Sequence, residues 1–157
     1  MERQRRSLKP LNSRKRGAVL IEFAACVIML LFILVGILEF GWMTRNKLLI
    51  SNAAREGART ASLGRVRSDV VTRVKNSAKI LNLQEGEIVL GYSSDDGANF
   101  TSTFPADNTT PEPDQNGVPK GNMIRISINT TNKTLMGTPL FGNRPLNAQV
   151  TMVREAS

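Results

Sequence analysis

The chain has no histidine, one cysteine, one tryptophan and one tyrosine in 157 residues. Without histidine it lacks the side chain that most often acts as a general base near neutral pH and most often binds transition metals. The lone cysteine, Cys26, excludes an intramolecular disulfide and a cysteine-based zinc site. It lies inside an apolar run, where it reads as one more small apolar residue. An aromatic content of 5% is too sparse for a base-stacking platform. The expectation is therefore a non-enzymatic protein with no cofactor, no metal, no small-molecule substrate and no nucleic acid as partner.

Charge is just as unevenly supplied. The formal net charge is +8, but residues 1–16 hold seven Lys or Arg (Arg3, Arg5, Arg6, Lys9, Arg14, Lys15 and Arg16) against Glu2. That segment accounts for +6, and the fourteen basic and twelve acidic residues that follow leave only +2. The basicity describes a leader, which is expected to be disordered and cytoplasmic, and not a nucleic-acid surface.

What the chain has in abundance is one apolar run. Across residues 18–43 the only charges are Glu22 and Glu39. A helix rising about 1.5 Å per residue crosses about 30 Å of hydrocarbon with ~20 residues, so this run suffices. The basic excess on its N-terminal flank, opposed only by Arg45 and Lys47 beyond it, places the N-terminus inside and the C-terminus outside. The run exceeds the apolar core of a secretory signal peptide and passes into further helix without a turn signal.

Helical spacing continues through Ile50, Ala54, Ala58 and Ala61, while Ala53, Gly57 and Ala61 form a ladder of small residues. Such a ladder lets another backbone approach closely, either from a neighbouring subunit or from the chain's own domain. Gly64 is placed to end this helix in the left-handed conformation. A second, amphipathic helix is expected over residues 65–83, with Val66, Val70, Val74, Ala78 and Leu81 on one face. Ser68 and Asp69 offer an alternative start.

From Glu87 the period becomes two. Residues 88–92 read as a strand, and Asp95-Asp96-Gly97 as a turn returning the chain through residues 99–104 as a hairpin. Residues 105–122 read as an exposed loop, residues 123–129 as a strand, and residues 146–153 as a final strand after a Gly/Pro-bearing loop. The fold class is α+β: a long N-terminal helix, transmembrane then extracytoplasmic, and a second amphipathic helix on a small antiparallel sheet. The organisation is a leader at 1–17, a transmembrane helix at 18–43, a helical stalk and amphipathic helix at 44–83, and a β domain at 84–157. The last segment is small for an independent core, so the preceding helices are expected to complete it. Four Asn-x-Ser/Thr triplets, at Asn99, Asn108, Asn129 and Asn132, read as products of an Asn/Thr-rich composition.

The most informative feature is the start of the run. A basic leader ends at Gly17, four apolar residues follow from Ala18, and Glu22 and Phe23 stand fifth and sixth after the glycine. An ionisable side chain within a membrane segment costs ~2–3 kcal/mol at mid-bilayer, and less one turn from the interface. A carboxylate in the first helical turn also suits the positive end of the helix dipole. Were the chain cut after Gly17, the new ammonium on Ala18 would lie within about a turn of Glu22.

This arrangement resembles the processing site of type IV prepilins and, within that superfamily, the TadE-like pseudopilins of tight-adherence (Tad/Flp) pili. The likeness continues through Glu39-Phe40-Gly41 and through Asn52, Ala53, Ala54, Arg55, Glu56, Gly57, Ala58 and Arg59, which resemble that family's downstream motif. A weaker likeness covers the strand at 123–128 and the C-terminal strand. The resemblance implies cleavage between Gly17 and Ala18 by a prepilin peptidase, with N-methylation of the new terminus. It implies that Glu22, beside Phe23, pairs with a neighbouring subunit's amino terminus. It also implies partners among other pseudopilins or pilins and Tad membrane assembly proteins, in a bacterial inner membrane. Arg55, Glu56 and Arg59 then read either as part of an assembly surface or as local helix ion pairs. Two rivals stand beside this reading: an unprocessed, single-pass anchored binding domain, and a tethered enzyme using carboxylates such as Asp95 and Asp96. The turn at those residues accounts for both carboxylates.

Overall fold

The computed structural model describes residues 13–101, 104, 116–132 and 142–155. Helix α1 (Ser13–Ser62) runs unbroken for 50 residues. Its sequence contains no proline, and Leu, Ala and Ile are its commonest apolar residues, so nothing in it interrupts the hydrogen-bond ladder. Residues 14–16, expected to belong to a disordered leader, are helical, while residues 1–12 lie outside the described residues. The helix ends as its sequence indicates. Gly64 takes φ 88° and its N–H donates to the Ala61 carbonyl at 3.0 Å.

Contacts divide the chain into two units, Met1–Phe40 and Gly41–Ser157. In the first unit, α1 presents apolar side chains outward along its length. Leu20, Phe23, Met29, Phe32 and Ile37 are all exposed. α1 is long and apolar enough to cross a bilayer, and its most apolar window is 0% buried, as suits a helix whose solvent is lipid and not a protein core.

The second unit is a helix-on-sheet layer. Helix α2 (Arg67–Ser77) is shorter than the 65–83 span expected. Val66, assigned to its apolar face, is instead the extended N-cap residue, and Ser68 and Asp69 fall in the first turn. There the Asp69 carboxylate suits the helix dipole. The α-helix stops at Ala78 and gives way to a 3-10 turn, Lys79–Leu81, closed by Asn82 at φ 49°. Asn76, Ser77 and Asn82 are poor helix formers, and the tighter turn carries Leu83 into the core, where it is buried. A second 3-10 turn, Glu85–Glu87, is closed by the Glu87 carboxylate, which accepts the Gln84 N–H at 2.7 Å.

Strands β1 (Ile88–Ser93), β2 (Met123–Asn132) and β3 (Arg144–Val153) form an antiparallel sheet in that spatial order. Registers place Tyr92, Ile124 and Met152 in one cross-strand row, Leu90, Ile126 and Val150 in the next, and Ile88, Ile128 and Ala148 in the third. These rows are the inner face. Against them lie Ile50, Ala53, Ala54, Ala58 and Ala61 of α1 and Val70, Val71 and Val74 of α2. Ile124, Ile126 and Ile128 are fully buried, each contributing ~1.5–3 kcal/mol. The helices thus complete the core, as the shortness of the β segment required. β3 begins at Arg144, and Pro145 is accommodated because β3 is an edge strand.

The hairpin expected over 99–104 is not the partner of β1. Among the described residues a single bridge, Tyr92 to Thr101, forms there, while residues 102 and 103 lie outside them, and β1 pairs with β2. Only β2 offers isoleucines opposite Ile88, Leu90 and Tyr92. The loop expected over 105–122 is not wholly exposed either. Asn116 and Val118 are buried, as is Phe104, and residues 105–115 lie outside the described residues.

The turn after β1 is a side-chain knot. The Asp95 carboxylate accepts hydrogen bonds from Ser93 Oγ at 2.5 Å, Asn99 N–H at 2.9 Å and Asn99 Nδ2 at 2.7 Å. Led by the Ser93 hydroxyl and then the Asn99 amide, these bonds lower the Asp95 pKa from 3.8 to about 2. A carboxylate held below its unfolded value stabilises the loop above about pH 4 and loses that contribution as pH falls through about 2. A carbon-13 titration of the Asp95 carboxyl should show that low midpoint, and Asp95→Asn should abolish the acid loosening of residues 93–99. A midpoint near 3.8 would contradict the knot.

Candidate functional site

The residues singled out in the sequence fall on α1 in two groups. Gly17, Ala18, Glu22 and Phe23 lie in the first unit, and all four are exposed. Gly17 is helical, and a Cβ added there would meet nothing within 4 Å. The chain's own packing therefore does not require a glycine at that position. Glycine costs a helix about 1 kcal/mol relative to alanine, so Gly17 marks a place where the backbone opens most easily. Glu22 stands one turn beyond Ala18, but α1 begins at Ser13, so Glu22 sits in its third turn and not its first. The favourable dipole position expected for it exists only in a chain that starts at Ala18. Cys26, a further turn along, is exposed beside it.

Glu39, whose place near the outer end of the run leads one to expect it either solvated or paired with Arg45 or Lys47, is buried at 8% exposure. The Arg45 guanidinium lies 4.9 Å from the centroid of the Trp42 ring, and Lys47 Nζ donates to the Asn147 carbonyl.

The second group, residues 53–59, lies in the second unit and splits by face. Ala53, Ala54, Gly57 and Ala58 are buried against α2 and the sheet, while Arg55 and Arg59 are exposed and Glu56 is half-buried. Gly57 is the closest approach: a Cβ there would collide with Val74 Cγ2 of α2 and lie 3.0 Å from Ile126 Cδ1 of β2. The small-residue ladder thus brings α1, α2 and the sheet of its own unit together. Glu56 pairs with Arg73 of α2 at 3.4 Å, where the Arg73 side chain is 61% exposed and that of Glu56 45%, so the pair contributes ~0–1 kcal/mol. Beside them a groove of ≈ 600 Å³ runs between α1 and α2, lined on one side by Glu56, Arg59 and Leu63 and on the other by Asp69, Arg73 and Asn76.

The far end of α1 carries a clamp that the sequence did not reveal. Its last carbonyls need donors. Asn116 Nδ2 donates to the Ala61 carbonyl at 2.7 Å, and Arg154 Nη1 and the Glu155 N–H donate to the Ser62 carbonyl at 2.6 and 3.1 Å. Arg154 is buried at 1% exposure, where its charge also suits the negative end of the helix. Further along α1, buried Asn46 donates to Asn132 Oδ1 at 2.7 Å, tying the helix to the end of β2. No spacing signal announces either contact, because each joins polar residues that are distant in sequence.

Among the described residues, no group of three or more Cys, Asp or Glu side chains stands close enough to hold a metal ion. No curated protein and no solved structure matches the chain. The model of one family does match, that of TadE-like protein, over residues 17–59. The matched segment opens at Gly17, includes Glu22 and Phe23, and closes on Arg59. Through the helix that carries both groups of candidate residues, the chain is similar to the TadE-like proteins.

Proposed function

We propose that the chain is a non-enzymatic minor pseudopilin or assembly protein of a Tad-type pilus. It is inserted into the bacterial inner membrane with its N-terminus in the cytoplasm and its sheet unit outside. A prepilin peptidase trims it between Gly17 and Ala18, and the hydrophobic helix then packs laterally with other pseudopilin or pilin helices and with Tad membrane assembly proteins. The observation that carries this reading is the exposed apolar helix bearing one carboxylate, Glu22, a turn past a glycine that the fold does not need.

The chemistry follows from charge. Trimming removes a strongly basic leader that anchors the helix end at the inner interface. It creates an ammonium on Ala18 and brings Glu22 into the first turn of the shortened helix. A neighbouring subunit's ammonium can then meet the carboxylate away from water. Such a desolvated pair discriminates register, because a misplaced neighbour leaves a charge without its counter-ion. The exposed Arg55 and Arg59 and the mixed-charge groove beside Glu56 give the outer unit a polar face for a partner.

Mass spectrometry of the N-terminus, on protein extracted from its native membrane, tests the reading. The expected terminus is Ala18 in the wild type, whereas Gly17→Leu retains the leader. A wild-type protein that still carries Met1 through Arg16 refutes processing and favours a tethered binding domain instead.

A further inference from the structure

The second unit carries a surface that the pilus reading leaves unused. Trp42, the sole tryptophan, closes the apolar run together with Met43. Across a cleft of ≈ 240 Å³ it faces Ile80, Leu81 and Asn82 of the 3-10 turn that follows α2, with Asn46 and Glu87 among the other lining residues. The turn holds its two apolar side chains apart. Leu81 packs on the core, whereas Ile80 is 62% exposed. Leu81 N–H bonds to the Ala78 carbonyl at 2.9 Å and Asn82 N–H to the Lys79 carbonyl at 3.2 Å, so Ile80 is displayed on a closed turn.

We propose that this turn rests on the bilayer from which α1 emerges, with Ile80 inserted at the headgroup level and the cleft facing lipid. The inference rests on the membrane-anchored reading. It is argued from continuity: Trp42 ends the membrane-spanning run, indole rings favour the membrane–water interface, and Ile80 stands across one narrow cleft from that ring. Charge agrees. Arg45, stacked on Trp42, and Lys79, next to Ile80, are exposed bases that suit lipid phosphates. The one carboxylate lining the cleft is engaged elsewhere. Glu87 Oε1 accepts from Thr130 Oγ1 at 2.6 Å and Oε2 from the Gln84 N–H at 2.7 Å, which keeps its charge turned to protein donors. A lone exposed isoleucine is ordinary on a protein surface. One beside the interfacial tryptophan, flanked by bases, is placed for lipid.

The test uses the full chain in nanodiscs of phosphatidylethanolamine and phosphatidylglycerol, with Cys26→Ser removing the native thiol. Nitroxide labels are attached singly through Ile80→Cys, Ile33→Cys within the apolar run, and Gln149→Cys on the exposed face of β3. Collision with oxygen and with a water-soluble nickel chelate reports depth. The expected order is position 33 in hydrocarbon, position 149 in water, and position 80 between them, with an oxygen-to-nickel ratio several-fold above that at 149. If position 33 lies in lipid and position 80 matches 149, the turn stands free in water and the inference falls while the anchor survives. If position 33 is itself open to the chelate, the anchored reading fails and takes the inference with it.

Discussion

Gly57→Leu should unfold the outer unit while leaving membrane insertion of the chain intact. The first added carbon already collides with Val74 Cγ2 and presses on Ile126 Cδ1, and neither neighbour can retreat. Val74 and Ile126 are both 0% exposed, each backed by other core residues. Overpacking of this kind costs ~1–3 kcal/mol for modest added bulk. Leucine adds three further carbons at a junction of two helices and a sheet, so a loss above ~3 kcal/mol is expected, a large share of the ~5–15 kcal/mol available to a domain. Gly57→Ala should be milder, because the helix gains about 1 kcal/mol of propensity against the clash. Gly41→Ala is the control: it lies in the same helix with nothing within 4 Å, and should be neutral or slightly stabilising.

Urea-dependent proteolysis of the chain in nanodiscs reads these effects directly. The double variant Gly57→Ala with Val74→Ala should recover part of the loss, since the two side chains share one space. A Gly57→Leu protein with unchanged protease resistance but defective assembly would show that the ladder meets another subunit and not its own sheet. The distinction bears on function, because the same small residues could serve either contact and the fold places them inside.

Periodicity made much of this architecture legible. α1 could be read because its apolar run continues into Ile50, Ala54, Ala58 and Ala61 without a proline. β2 could be read because Ile124, Ile126 and Ile128 alternate with Arg125, Ser127 and Asn129. Pairing was harder. Asp95-Asp96-Gly97 looks like a two-strand turn, yet Ser93, Asp95 and Asn99 spend their side chains on one another, and continuing the register of the Tyr92–Thr101 bridge would set only Thr103 against Leu90 and Pro105 against Ile88. The clamp of Asn116 and Arg154 on the end of α1 was invisible for a different reason. A helix's orphan carbonyls are certain in advance, but which distant donors reach them is decided only when the sheet folds back. Gly17 is the converse case. Its place in a pattern was legible in the sequence, and the fold gives no steric reason for it.

Glu22→Ala should insert and be trimmed normally but assemble poorly. Removing an ionisable group from the apolar run relieves an insertion cost of up to ~3 kcal/mol, so entry into the membrane is not impaired. The proposed cut lies before Ala18, and Gly17 is untouched. On the proposed assembly, what is lost is the counter-charge for an incoming ammonium. Breaking one side of a desolvated pair costs ~3–5 kcal/mol, or about two to four orders of magnitude per contact, because the remaining charge is left in a low-dielectric surround. Glu22→Gln should fail nearly as badly, since it keeps the shape and loses the charge; a merely steric role would let it pass. Cys26 gives the readout. It lies four residues on, over the same face of the helix, exposed, and it is the chain's only thiol. In native membranes, thiol-specific cross-linking from Cys26 should trap wild-type protein in higher-mass species and leave Glu22→Ala and Glu22→Gln as single chains. Equal cross-linking and normal piliation in both variants would remove Glu22 from assembly and reduce it to a charge that reaches the interface alone.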